Sequence, residues 1–201
     1  MNSENGAAAV VNTQLANGLT AAVPTDSPRA RLLHSERTWF GPTAKERLRI
    51  LRRARSIAIV GFSTNPARAS YFVGTYLVQS TDYTVYFVNP NAACRTVLGQ
   101  PVYTSLADLP ETPDIVDVFR KVADIPGVVA EVTALTSPDK PSPVLWIQLG
   151  IWNERAAYDA EANGLTVVMD RCLKIEHARF HGGLHLLGFD TGQITARKTV
   201  R

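Results

Sequence analysis

Short apolar, β-branched runs alternate through the middle of the chain with segments whose apolar residues recur every three or four positions. The runs lie at 57–60, 84–88, 115–119, 144–147 and 166–169, and helical patterns occupy 69–79, 122–135 and 153–163. Strands of this length alternating with helical stretches are the mark of βαβ units. The runs IAIV, VYFV, VLWI and TVVM are apolar at successive positions rather than at every second one, as strands are when helices cover both faces of the sheet. The pattern predicts an α/β fold: a doubly wound, mostly parallel five-stranded sheet with helices on both faces, whose ligands lie across the carboxyl ends of the strands at the topological switch point.

Local signals support the same elements. Thr43 followed by Glu46 is a capping-box pair, opening a helix in which Leu48, Leu51 and Ala54 line one face. Within 122–135, Val122, Ile125, Val128, Val129, Val132 and Leu135 form a stripe that must pack on the sheet. Asn163-Gly164 is placed to end a helix in a left-handed cap just before the last strand.

Composition divides the chain further. Residues 1–28 hold no Lys or Arg and show no sustained apolar periodicity, which predicts a disordered leader and argues against a mitochondrial transit peptide. Residues 29–55 hold nine Lys or Arg against two Glu and form a basic N-terminal segment with a helix. The α/β domain is expected over 56–180, with a C-terminal tail at 181–201. The 201-residue chain carries a net charge of +3, and because the basic excess is confined to one segment, a solvated helix face is favoured over nucleic-acid binding. Two cysteines, Cys94 and Cys172, do not make a disulfide framework, and no apolar run approaches the roughly 18 residues of a membrane span. A reducing, cytoplasmic setting without membrane insertion is expected.

The chemistry concentrates in the loops after the strands. After the first comes Gly61-Phe62-Ser63-Thr64-Asn65-Pro66-Ala67-Arg68, running into a helix. A glycine that lets a ligand approach the backbone, a helix N-terminus, and side-chain donors from Ser63 and Arg68 together suit a pyrophosphate. Ser63 and Pro66 stand where a nicotinamide-dinucleotide fingerprint needs its second and third glycines, and the second strand ends Val88-Asn89-Pro90 without the carboxylate that would take ribose hydroxyls. A Walker lysine motif is absent as well. Phosphate binding without phosphoryl transfer remains.

The segments IVGFSTNPAR (59–68), VNP (88–90), Leu98-Gly99 with Tyr103, Ser105 and Leu106, DVFR (117–120), WIQLG (146–150) and VMDRC (168–172) resemble the CoA-binding domain family, related to the N-terminal domain of the succinyl-CoA synthetase α-subunit. The likeness runs from about Thr43 to the C-terminal region. It implies a Rossmann-like fold with coenzyme A or an acyl-CoA across the strand ends: phosphates at Gly61, Phe62, Ser63, Pro66 and Arg68, adenosine near Asn89 and Pro90, and Arg120 and Lys121 facing the ligand. Arg171 is a further cation beside a strand end, Gln148 and Gly150 could hydrogen-bond the pantetheine amides, and Cys172 stands where the ligand's thiol could reach it.

The synthetase's second domain, which carries its catalytic histidine, has no counterpart here, and no nucleophile elbow or triad stands in a credible context. His177, His181 and His185 are spaced by four, but Gly182 and Gly183 interrupt the helix that would align them for a metal. The expected function is non-catalytic binding of coenzyme A, with a homodimer or another protein partner left open. Two alternatives stand beside it: an NAD(P)-dependent oxidoreductase, and an interaction protein working through the basic helix.

Overall fold

A computed structural model describes residues 10–14, 20–24, 37–92 and 95–181. The chain divides into two compact units, Met1–Phe40 and Gly41–Arg201. In the first, β1 (Val10–Gln14) pairs antiparallel with β2 (Thr20–Pro24), in register from Val10 opposite Pro24 to Gln14 opposite Thr20. Both strands lie within the expected leader, 1–28. The strands are short, but Val10, Val11, Thr13, Thr20 and Val23 suit a pleated pair. The rest of the expected leader, Cys94, His185 and the tail from 182 onward lie outside the described residues.

The second unit opens with α1 (Ala44–Arg53), and the capping box is present. The Thr43 amide donates to Glu46 Oε2 (2.7 Å) and the Glu46 amide to Thr43 Oγ1 (3.4 Å). There follow β3 (Ser56–Val60), α2 (Ala69–Ser80), β4 (Thr84–Val88), β5 (Thr96–Val97), β6 (Gln100–Tyr103), β7 (Ile115–Val118), α3 (Ile125–Thr133), β8 (Val144–Ile147), α4 (Glu154–Ala162), β9 (Thr166–Val168) and α5 (Leu173–His181). Asn163 caps α4, Gly164 takes φ +79°, and the amides of Gly164 and Leu165 donate to the carbonyls of Glu161 and Ala160, the paired bonds of a Schellman end.

The sheet has seven strands in the order β5-β6-β4-β3-β7-β8-β9, parallel throughout except for the antiparallel pair β5–β6 at the edge. The five strands read from the sequence are all present. β5 and β6 are additional, and their brevity explains why periodicity misses them: β6 meets β4 through only Phe87–Val102 and Val88–Tyr103. Leu98 (φ +53°) and Gly99 (φ +76°) turn β5 into β6 with the doubly left-handed backbone of a tight hairpin.

β3 lies at the centre with all five residues buried. The chain leaves it in one direction through α2 to β4 and β6, then in the other through β7 and β8 to β9. Right-handed crossovers running opposite ways put helices on opposite faces. One face, with Ile57, Ile59, Val85, Phe87, Ile115, Trp146 and Val168, packs against Leu51 of α1, Val73, Tyr76 and Leu77 of α2, and Leu173, Ala178 and Phe180 of α5. Ile125, Val128, Val129 and Val132 of α3 and Ala156, Ala157 and Ala160 of α4 are buried on the other. Arg47, expected among the solvated cations of the basic segment, is instead buried and paired through Nε to Glu176 Oε2 at 2.8 Å, joining α1 to α5, while Lys45, Arg49, Arg52 and Arg53 remain exposed.

Candidate functional site

The switch point falls between β3 and β7, where neighbouring connections leave for opposite faces and their loops part. A cleft of about 370 Å³ opens there at the carboxyl ends of the strands. Val60 and Gly61 follow from β3, Val88 and Pro90 from β4, Thr104 and Ser105 from β6, and Arg120 from β7, while Ala123, Asp124, Gly127, Val128 and Glu131 line the side toward α3.

Gly61 makes the turn possible twice over. Its φ is +81°, and a Cβ there would sit 2.5 Å from the Phe119 carbonyl oxygen and 2.9 Å from Arg120 Cδ. The amides of Gly61 and Phe62 both donate to the Val88 carbonyl. The Asn89 carboxamide donates to the Phe62 carbonyl at 2.7 Å and accepts from the Asn91 amide at 2.9 Å, so Asn89 pins the loop after β3 to the end of β4. Phe62 is fully buried and its ring stacks on Phe87, centroids 3.8 Å apart; its side chain belongs to the core rather than to the cleft.

Farther along the loop, Ser63 donates its amide to Ser70 Oγ, Ser63 Oγ accepts from the Asn65 amide, and Asn65 Oδ1 accepts from the Ala67 amide. These bonds fix the loop and consume the amides of Ser63, Asn65 and Ala67. The amides of Thr64 in the loop and of Ala69 and Ser70 in the first turn of α2 have no partner among the described residues. Arg68 is the N-cap residue of α2 and Pro66 precedes it; both are exposed, and the Arg68 side chain has no partner among the described residues. Arg120 lies over Gly61 and its Nη2 is 3.1 Å from Asp124 Oδ2, whereas Lys121 is exposed beyond the cleft's rim.

The loops after β8 and β9 brace one another. The Gly150 amide, at φ +82°, donates to Asp170 Oδ1 (2.7 Å), and Trp146 Nε1 donates to the Arg171 carbonyl (2.8 Å). The Arg171 side chain is half-buried, again without a partner among the described residues. Gln148 is buried, and its Nε2 lies 2.8 and 3.0 Å from the two oxygens of Asp117, a side chain fully enclosed on β7. Burial pushes the Asp117 carboxyl up to about 8, with the Gln148 bond acting in the opposite direction. Burial also raises the Cys172 thiol, and Asp117 adds to that rise.

The expected residues therefore gather at one edge of the sheet but in two groups: 61–68, 89–90 and 120–121 around the cleft, and 148–150 and 171–172 beyond β7. Asp117, Thr104, Ser105 and Glu131 complete the edge. Asp117 and Ser105 fell inside matched motifs, but no pattern gave them a role. His177 is committed elsewhere, its Nδ1 lying 2.9 Å from the Tyr76 hydroxyl, and no group of three potential metal ligands occurs among the described residues. Nor is any helix among them long and apolar enough to cross a membrane.

The strand order and the glycine turn at the switch point define a Rossmann-type domain. Residues 55–178 match the CoA binding domain family, and the chain belongs to it. The uncharacterized protein YneT of Bacillus subtilis is 36% identical over 137 residues, spanning 68% of this chain and 96% of YneT. Among solved structures, a Thermus thermophilus protein is 34% identical with a TM-score of 0.63, covering 69% of this chain and 99% of its own. A hypothetical protein of Pyrococcus horikoshii OT3 is also 34% identical, with a TM-score of 0.62 over 70% of this chain and 93% of that one.

Proposed function

We propose that the chain binds coenzyme A or an acyl-CoA without transforming it. Family membership supplies the ligand class, and the observation that carries the reading is the distribution of charge around the switch point. Inside the cleft Arg120 pairs with Asp124, and Glu131 lines the same cleft, which suits the uncharged adenine better than a phosphate. Arg68, whose side chain has no partner among the described residues, stands outside the cleft beside the unbonded amides of Ala69 and Ser70. The ligand then runs in three parts: adenine in the cleft against Pro90 and Arg120, phosphates at the start of α2 with Arg68, and pantetheine along Gln148, Gly150 and Arg171. Cys172, whose thiol is held protonated by burial, acts as a packing residue and not as a partner in thiol exchange.

An NAD(P) reading has less support. The position that would hold ribose hydroxyls is Asn89, whose carboxamide is already bonded at both ends. Parallel calorimetric titrations with coenzyme A, acetyl-CoA, NAD, NADP and ATP test the proposal. Saturable coenzyme A binding that Arg68→Ala weakens by about 1–3 kcal/mol is the expected outcome. Tight NAD or NADP binding with none for coenzyme A refutes it.

A further inference from the structure

Asp117 lies on β7 two residues after Ile115, so its side chain faces the same side of the sheet, the one covered by α1, α2 and α5. It is fully buried, and its hydrogen-bond partner among the described residues is the Gln148 carboxamide. Among the described residues, the charged groups of the covering elements that are not exposed are otherwise engaged. From α2, the Tyr76 hydroxyl meets His177 of α5. Also on α5, Lys174 sits over the rings of Phe72 and Tyr76, 4.2 and 5.3 Å from their centroids, and Glu176 pairs with Arg47 of α1 and with Arg179. Cys172, in the loop before α5, is the group that feels Asp117, and that interaction favours the neutral thiol. Among the described residues no ion pair reaches Asp117, and an unpaired carboxylate in such a place is costly, so the carboxyl keeps its proton at neutral pH.

A neutral carboxyl gains a donor and needs an acceptor. The acceptor within reach is Gln148 Oε1, an atom with no bond to a described residue and not sealed from solvent. Oxygen and nitrogen of a carboxamide occupy nearly the same space, so the group can turn to suit either state of Asp117. We infer that Asp117 sets the hydrogen-bonding polarity of the site beyond β7: protonated, it draws in Gln148 Oε1 and leaves an Nε2–H facing the strand-end loop, donating to a carbonyl oxygen of the ligand. Ionised, Asp117 takes Nε2 and leaves Oε1 facing out, which repels that carbonyl. Asp117 is a positioning residue, and the ligand group selected is the carbonyl of an amide or thioester. The inference rests on the coenzyme A reading for the identity of the ligand, but not for the turn of the carboxamide.

The test is the Gln148 side-chain amide signal in NMR spectra of the free protein from pH 6.5 to 9.5, paired with acetyl-CoA calorimetry over the same range, for the wild type and Asp117→Asn. In the wild type the signal should move with one midpoint near 8 and acetyl-CoA affinity should fall about five-fold across it, the equivalent of one net hydrogen bond; both should be flat in the variant. A Gln148 signal that does not titrate overturns the inference, and the wild type alone decides this if the variant does not fold. An affinity loss that persists in a folded Asp117→Asn also overturns it. A titrating Gln148 with no acetyl-CoA binding at any pH refutes the coenzyme A reading and supports the turn.

Discussion

Two glycines show how differently a residue's role can be written in a sequence. Gly61 stands at the end of a strand before a helix, and that context alone marks it. Gly61→Ala should destabilise the fold by about 2–4 kcal/mol in denaturant unfolding, since the left-handed backbone and the 2.5 Å approach to the Phe119 carbonyl both oppose a methyl group. Gly74 lies inside α2, where glycine usually weakens a helix, and nothing in the pattern explains it. A Cβ there would be 2.9 Å from Phe62 and 3.0 Å from Phe87, so Gly74 lets α2 rest on the stacked pair, the close helix–strand contact that a third fingerprint glycine gives elsewhere. Gly74→Ala should lose about 1–2 kcal/mol despite its gain in helix propensity. Asp117 is the residue least legible in advance, because an acidic residue in an apolar strand reveals neither its enclosure nor its partner. Between its usual value near 3.8 and the raised value of about 8, the unfolded chain is ionised while the folded one keeps the proton, so this group's effect is to lower stability as pH rises through that window. Asp117→Asn should remove that slope and melt above the wild type at pH 9, with the difference shrinking toward pH 4.

At the scale of elements, the start of α1 and the end of α4 were readable because caps are local: Thr43 with Glu46, and Asn163 with Gly164, act within a few residues of themselves. β5 and β6 were not, because two- and four-residue strands hold too few positions to show a period, and their only sequence mark is the Leu98-Gly99 turn. The basic helix was half readable. Its charge is plain, but that Arg47 turns inward depends on Glu176, which lies 129 residues away. Because Arg47 also donates from Nη1 to the Pro42 carbonyl at 2.6 Å, Glu176→Ala leaves a buried guanidinium without its counter-ion and should cost about 3–5 kcal/mol in chemical denaturation. Arg155→Ala, which breaks an exposed pair with Asp159 on α4, should fall within about 0.5 kcal/mol of the wild type.

For the molecule as a whole, five apolar runs were enough to give the architecture, since topology follows from alternation and handedness. They could not separate loop amides that are free from those consumed by Ser63, Ser70 and Asn65, because that depends on side chains brought together by the finished fold. A ligand that binds across the carboxyl ends of the strands holds β3, β4, β7 and β8 together, so coenzyme A at about 100 times its dissociation constant should add roughly 2.7 kcal/mol to unfolding and raise the melting temperature, measurable by thermal shift. The Arg47–Glu176 pair also bears on how the chain is made. It joins α1 to α5, and the central strand β3 pairs on one side with β7, synthesised more than fifty residues later. Such distant closures make folding slow. During translation, then, α1 would wait with its guanidinium in water and its apolar seam uncovered until α5 had been made, which makes the interval before residue 176 leaves the ribosome the period of greatest need for a chaperone.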